Sequence, residues 1–320
     1  MKLRVLYHGH CFDGVASAAT FTRFYNERIH PGADIHYGGL LHRPGNVLFD
    51  KEMFDGDENA IVDFKYSPSD KLTWWFDHHQ SAFLTPSDEA HFQADHSGKK
   101  FLDATRKSCT EFIADVAHTK FGFDAEPLSD LVHWAHIIDG ALYASAAQCV
   151  ELKEPPLQLM QVIEADPDET FIEQIIRDLT VRPLNEVATS EEVGTRFQPI
   201  LKQHRETLEA IRRTATLAEG VVHFDLVDEG YEGFNKFIPY YLFPEASYTV
   251  ALTRGPQRTK ISVGSNPWAP RPRRHNIASL CERYGGGGHA VVGAISFGTN
   301  EVEKARLAMR EIVEELKTGG

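Results

Sequence analysis

A chain of 320 residues with 42% hydrophobic and 25% charged content can bury a sizeable core and is expected to form roughly two domains. Its formal net charge of -13 argues against indiscriminate binding of long nucleic acid, which needs many phosphates neutralised by clustered Lys and Arg. The four scattered cysteines, Cys11, Cys109, Cys149 and Cys281, include no CxxC pair and imply free thiols, and no stretch approaches the ~20 apolar residues of a membrane helix.

In chain order, the first half alternates short apolar runs with helical patterns, the sign of βα units around a mostly parallel sheet. Strands are expected at Leu3 to Tyr7, Asp34 to Tyr37, Ala60 to Asp63 and Thr73 to Phe76. Helices are expected at Gly14 to Tyr25, at Ser108 to Lys120 with Ser108 as N-cap, and at Leu128 to Val150. From Pro155 to Gly220 the pattern is mainly helical. It includes a long charged helix with Phe197, Ile200, Leu201, Leu208 and Ile211 on one face. After Gly220, strands are expected at Val221 to Leu226, Tyr248 to Thr253, Lys260 to Val263 and Ala290 to Phe297, with helices near Ile277 and Glu301. The proline-rich loop Asn266 to Arg274 is expected to be irregular and exposed. The resulting fold class is α/β, with a parallel-sheet domain at 1–190, a helical linker at 191–219 and a smaller α/β domain at 220–320.

Chemistry-bearing residues divide between the halves. Twelve of the 16 histidines precede residue 137, whereas Ala246 to Cys281 holds no Asp or Glu but six basic residues, Arg254, Arg258, Lys260, Arg271, Arg273 and Arg274. In open α/β sheets ligands bind beyond the carboxyl ends of strands, and the expected strands run directly into His8, Asp63 and Asp77. With Asp13-Gly14, Asp77-His78-His79 and Asp139-Gly140 these form a candidate two-ion site. Two divalent cations ~3.5 to 4 Å apart activate water and neutralise phosphoryl oxygens. Mixed N and O donors suit Mn²⁺, with Fe, Co or Zn as alternatives. Each cluster also has a plainer reading: Asp13-Gly14 as a helix-entry turn, Asp63 as a cap, Asp139 as the surface partner of His136. The triplet is hardest to explain as packing, because three polar titratable residues follow Trp74-Trp75-Phe76. In the second half the glycines of Gly285-Gly286-Gly287-Gly288-His289 permit close backbone approach to an anion, or form only a flexible turn. Gly286, Gly287, Gly288 and His289, with Arg254 and Arg274, are the candidate substrate-binding residues.

In order and content these clusters resemble the DHH phosphoesterase family, whose name comes from the triplet seen here as Asp77-His78-His79. The resemblance covers nearly the whole chain. It takes in Tyr7 to Ala18 (YHGHCFDGVASA), Ile61-Val62-Asp63, the triplet, Ile137-Ile138-Asp139 and Tyr284 to His289 (YGGGGH), which is similar to the GGGH signature of a DHHA1 domain. The resemblance implies metal ligands His8, Asp13, Asp63, His78 and Asp139, with Asp63 bridging. This chain departs from the family at Cys11, where the usual first motif carries the first of two aspartates. Cys11 or His10 could substitute as a ligand, or Cys11 could be a small packed residue. His79 is left free to meet a phosphoryl oxygen, and Asp77 is expected to orient an imidazole.

The expected activity is hydrolysis of phosphodiester bonds in short oligonucleotides or small nucleotides by metal-activated water, with the active site in a cleft between the domains. A polyphosphatase or pyrophosphatase is the rival enzyme, and a nucleotide-binding regulator with an impaired metal site is the rival outside enzymes. The partner is a small phosphate-containing anion, with no long duplex and no membrane; the location is expected to be cytoplasmic, and the sequence leaves room for a homodimer.

Overall fold

Runs such as Val5-Leu6-Tyr7 and Trp74-Trp75-Phe76 are apolar on both faces, which suits strands covered from both sides. In the computed structural model, which describes residues 1–41 and 49–318, they form the middle of a sheet. The chain divides into two compact units, one of Met1–Tyr143 with Lys153–Gln198, the other of Ala144–Leu152 with the residues from Pro199 onward.

The first unit opens with β1 (Lys2–His8), α1 (Phe12–Arg28), β2 (Asp34–Leu40), β3 (Glu58–Val62) and β4 (Trp74–Asp77), followed by α2 (Pro86–Gln93), β5 (Lys100–Leu102), α3 (Cys109–Phe121) and α4 (Ser129–Asp139). The five strands are all parallel, in the order β2-β1-β3-β4-β5. Successive residues of β4 face opposite sides, so Trp74 packs on Phe21 and Phe24 of α1 while Trp75 packs on Tyr66, Phe83 and Phe92. Both tryptophans are fully buried, and each such side chain stabilises the fold by a few kcal/mol, of order 2. α1 in turn packs against α3, α4 and, later in the chain, α7 (Glu169–Val181).

The helix expected from Leu128 to Val150 is two helices, α4 and α5 (Ala146–Glu151). α4 stops in a Schellman motif: Ala141 is left-handed (φ 50), its N–H donates to the Ile138 carbonyl, and the Leu142 N–H donates to that of Ile137. Ser145 then restarts a helix by accepting from the Gln148 N–H. This break makes Asp139 the last helical residue rather than a mid-helix one. α6 (Pro155–Ala165), α7, α8 (Leu184–Ala188) and α9 (Glu191–Thr214) follow, and the boundary between units falls inside α9 at Pro199. Phe197 and Ile211 of the expected apolar face are buried, and Ile200, Leu201 and Leu208 are partly so.

The second unit holds β6 (Thr216–Ala218), β7 (Val221–Asp225), α10 (Ile238–Leu242), β8 (Tyr248–Arg254), β9 (Thr259–Ser265), α11 (Ile277–Glu282), β10 (Gly287–His289), β11 (Val292–Phe297) and α12 (Val302–Thr318). Its sheet has the order β10-β11-β9-β8-β7-β6, with β7 and β8 parallel and the other neighbours antiparallel. α12 covers β7, β8 and β9 through Ile312, Val313 and Leu316, and α11 covers β9, β10 and β11. The Asn266 to Arg274 loop has no regular structure, and Pro270 to Arg274 are exposed. No helix among the described residues is long and apolar enough to cross a membrane.

Candidate metal centre

Parallel strands deliver their carboxyl ends to one edge, so the residues that end β1, β3 and β4 become neighbours. His8 ends β1, Asp63 follows β3, and Asp77 ends β4 ahead of His78 and His79. Asp13 enters from the first turn of α1. Gly14 allows that approach, since a Cβ there would lie 2.1 Å from the His8 carbonyl oxygen. Asp63 itself is left-handed (φ 57), and its N–H donates to the Phe76 carbonyl of the neighbouring strand.

Asp63 divides its carboxylate between two imidazoles: Oδ2 lies 3.3 Å from His8 Nδ1 and Oδ1 lies 3.3 Å from His78 Nε2. His78 Nε2 also lies 3.4 Å from Asp139 Oδ2 and 3.7 Å from Asp13 Oδ2. Three carboxylates therefore converge on one ring nitrogen. Asp13, Asp63 and His78 are buried, and Asp139, at 28% side-chain exposure, is the one open to solvent. The other nitrogen of His78, Nδ1, lies 3.2 Å from the Arg106 carbonyl oxygen, which can only accept, so Nδ1 carries the proton and Nε2 faces the carboxylates. Asp63 Oδ1 and His78 Nε2 are buried yet make no aligned hydrogen bond. Such orphan atoms are costly unless something else meets them.

Electrostatics reinforce this picture. Burial, then Asp63 and Asp139, push the Asp13 carboxyl well above the ordinary range, and burial with Asp63 pushes Asp139 up to about 6. Burial alone would raise Asp63, but the imidazoles of His78 and His8 pull it down to about 2. Burial alone would lower His78, but Asp63, Asp13 and Asp139 push it up to about 10. With protons alone, like charges are relieved by keeping protons on His78 and Asp13. A divalent cation would replace those protons, which is how ligand sets of this kind couple metal binding to proton release. The donors also group by distance into three sets that could each hold an ion: His8, Cys11 and Asp63; Asp63, His78 and His79; and Asp13, His78 and Asp139. The residues present thus fit divalent cations.

Cys11 is the residue before α1, and burial, then Asp63 and Asp13, raise its thiol well above the usual value. His10 is exposed and, among the described residues, joins none of these sets. Asp77, expected to orient an imidazole, contacts that of His79: Oδ1 lies 2.7 Å from His79 Nδ1 and accepts from the backbone N–H of His78 and His79. Three residues went unread in the sequence, namely Arg106, Cys109 and Thr110. Arg106 meets His78, and the N–H groups of Cys109 and Thr110 donate to Asp13. The helix start at Ser108 was legible; what that helix end points at was not.

In the second unit the glycine segment is a strand, not a free loop. Gly287 to His289 pair with Val292 to Ala294. A Cβ at Gly286 would lie 2.3 Å from the Ala294 carbonyl oxygen, and one at Gly288 2.3 Å from that of Val292, so hairpin packing explains two of the glycines. His289 is exposed. Arg254 ends β8 in the open, and Arg274 is exposed with its backbone N–H donating to the Tyr248 hydroxyl.

No protein-family model matches the chain, and no curated protein matches it significantly. Among solved structures, the pGpG-specific phosphodiesterase PggH from Vibrio cholerae is similar over 98% of this chain and 99% of its own, at 19% identity and a TM-score of 0.68. The DHH domain of a member of the S1p family of ribosomal proteins matches over 99% of this chain and 87% of its own, at 15% identity and a TM-score of 0.58. RecJ in complex with Mn²⁺ from Thermus thermophilus matches 98% of this chain over 52% of its own length, at 12% identity and a TM-score of 0.57. The chain has the fold of these DHH proteins, a parallel-sheet domain followed by a smaller α/β domain.

Proposed function

We propose that this chain is a metal-dependent phosphodiesterase acting on short oligonucleotides or small nucleotides. The observation that carries the reading is Asp63, whose two oxygens face His8 and His78 separately at the ligand-binding edge of a parallel sheet. That arrangement would let one carboxylate serve two cations. Asp13, Asp63, His78 and Asp139 would hold one ion, and His8, Cys11 and Asp63 the other, with Mn²⁺ the best match to the donors. Bound there, divalent ions acidify water and neutralise charge on phosphoryl oxygens.

The residues around them do the rest. Asp77 holds His79 by Nδ1 and raises its pKa against the lowering effect of burial, which favours the protonated ring, whose Nε2–H would donate to a phosphoryl oxygen of the substrate. Asp77 is thereby a positioning group for His79. Substrate is gripped by Gly286, Gly287, Gly288 and His289, with Arg254 and Arg274 contributing charge. The likeness of the fold to a pGpG-specific phosphodiesterase supports a small nucleotide substrate.

Product analysis on linear dinucleotides, cyclic dinucleotides, nucleoside bisphosphates and polyphosphate, with Mn²⁺ added, tests this. The expected result is conversion of linear dinucleotides to mononucleotides. Phosphate release from polyphosphate alone would replace the reading with a polyphosphatase, and binding without turnover would replace it with a nucleotide-binding regulator.

A further inference from the structure

The stretch from Arg106 into the first turn of α3 touches two of the proposed ligands at once, and its contacts define how one of them can bind. Asp13 Oδ1 accepts from the Thr110 hydroxyl at 2.7 Å and from the Thr110 N–H at 3.2 Å. Oδ2 accepts from the Cys109 N–H at 2.6 Å. A carboxylate oxygen has about two lone-pair directions, so Oδ1 is saturated, while Oδ2 keeps one direction and is the atom 3.7 Å from His78 Nε2. The Thr110 hydroxyl has one proton, and Asp13 takes it, at Oδ1 or at its backbone oxygen 3.2 Å away. Ser17, 3.1 Å from Thr110 Oγ1, must then donate to Thr110. Ser17 and Thr110 are fully buried and Asp13 almost so, so water does not substitute for a lost hydroxyl.

We propose that Thr110, backed by Ser17, is a positioning residue that makes Asp13 a one-oxygen metal ligand by occupying Oδ1 and turning Oδ2 toward His78. The inference rests on the metal reading of the site. Arg106, four residues earlier, fixes the tautomer of His78 through its carbonyl, so a single segment sets the orientation of ligands that come from α1 and from the end of β4. Without the hydroxyl, Oδ1 would lose its shorter bond and keep only the Thr110 N–H at 3.2 Å, so Asp13 would be held less firmly, and such outer hydrogen bonds commonly control metal affinity by 10–100-fold.

The test is Mn²⁺ titration by calorimetry of the full chain, stripped with chelator, as wild type, Thr110→Val and Thr110→Ser, with thermal melts to confirm folding. Thr110→Val should bind Mn²⁺ on the order of tenfold more weakly, and Thr110→Ser should restore binding close to wild type. A folded Thr110→Val that binds as tightly as wild type, or a Thr110→Ser as weak as Thr110→Val, overturns the proposal. Should Thr110→Val not fold, Ser17→Ala takes its place: several-fold weaker binding supports the proposal and unchanged binding overturns it. A wild-type protein that takes up no Mn²⁺ overturns the metal reading and this inference together, whereas tight wild-type binding with an indifferent Thr110→Val overturns this inference alone.

Discussion

Asp63 combines a left-handed backbone, full burial and two imidazole neighbours, and Asp is among the few residues that tolerate that conformation. Strain of this sort persists where the surroundings over-determine it. Cys11 is the other residue whose chemistry decides the site. It groups with His8 and Asp63, yet burial and the neighbouring carboxylates raise its thiol, so binding through sulfur must displace a firmly held proton, and sulfur is a softer donor than hard cations prefer. Cys11→Asp should therefore lower the Mn²⁺ concentration for half-maximal activity several-fold. An unchanged titration would place Cys11 outside the ligand set. At this scale the sequence was informative where a polar residue ended an apolar run, as at His8, Asp63 and Asp77. It was silent on partners that act through backbone groups, since any residue type could supply the Arg106 carbonyl or the Cys109 N–H, and it did not tell which imidazole Asp77 would hold.

The strands of the first unit are tied together at their opposite end by Glu58. This β3 residue accepts from Trp74 Nε1 of β4 at 2.7 Å, from the Tyr25 hydroxyl of α1 at 3.0 Å and from Lys99 Nζ, next to β5, at 3.0 Å. Burial alone would raise its carboxyl, but these donors outweigh it and hold it below the usual value. A depressed carboxylate stabilises the fold above its unfolded pKa and loses that contribution as pH falls through the folded one. Glu58→Gln should thus cost roughly 1 kcal/mol at neutral pH after solvent screening is allowed for, with the deficit shrinking below about pH 4. Urea denaturation at the two pH values checks this, and an equal deficit at both would contradict it. Long periodic elements such as α1, α3 and α9 were legible from spacing. β5 was too short to show a period, and β10 is nearly all glycine. α2 announced itself only by a capping box, Thr85 with Asp88, that periodicity does not register. The stop of α4 at Ala141 needs a left-handed alanine, a position where glycine is the usual signal.

Across the molecule, every proposed metal ligand belongs to the unit that contains Met1–Tyr143, and every proposed substrate-gripping residue belongs to the other. That separation was visible in the distribution of His against Arg along the sequence. Where the glycines would sit was not, because a glycine run carries no side chains from which to read strand pairing, and the hairpin of β10 and β11 accounts for Gly286 and Gly288 without a ligand. A role for His289 in substrate binding must therefore show itself in substrate dependence. Binding energy from a part of the substrate remote from the reacting phosphorus is lost when that part is absent. The most direct measurement is Mn²⁺-supported hydrolysis of a linear dinucleotide and of a small chromogenic phosphodiester by wild type, Asp63→Ala and His289→Ala. The account predicts that wild type cleaves both, that Asp63→Ala falls to near background on both, and that His289→Ala loses far more on the dinucleotide than on the chromogenic ester. A folded, Mn²⁺-saturated Asp63→Ala that keeps most of its rate would contradict it.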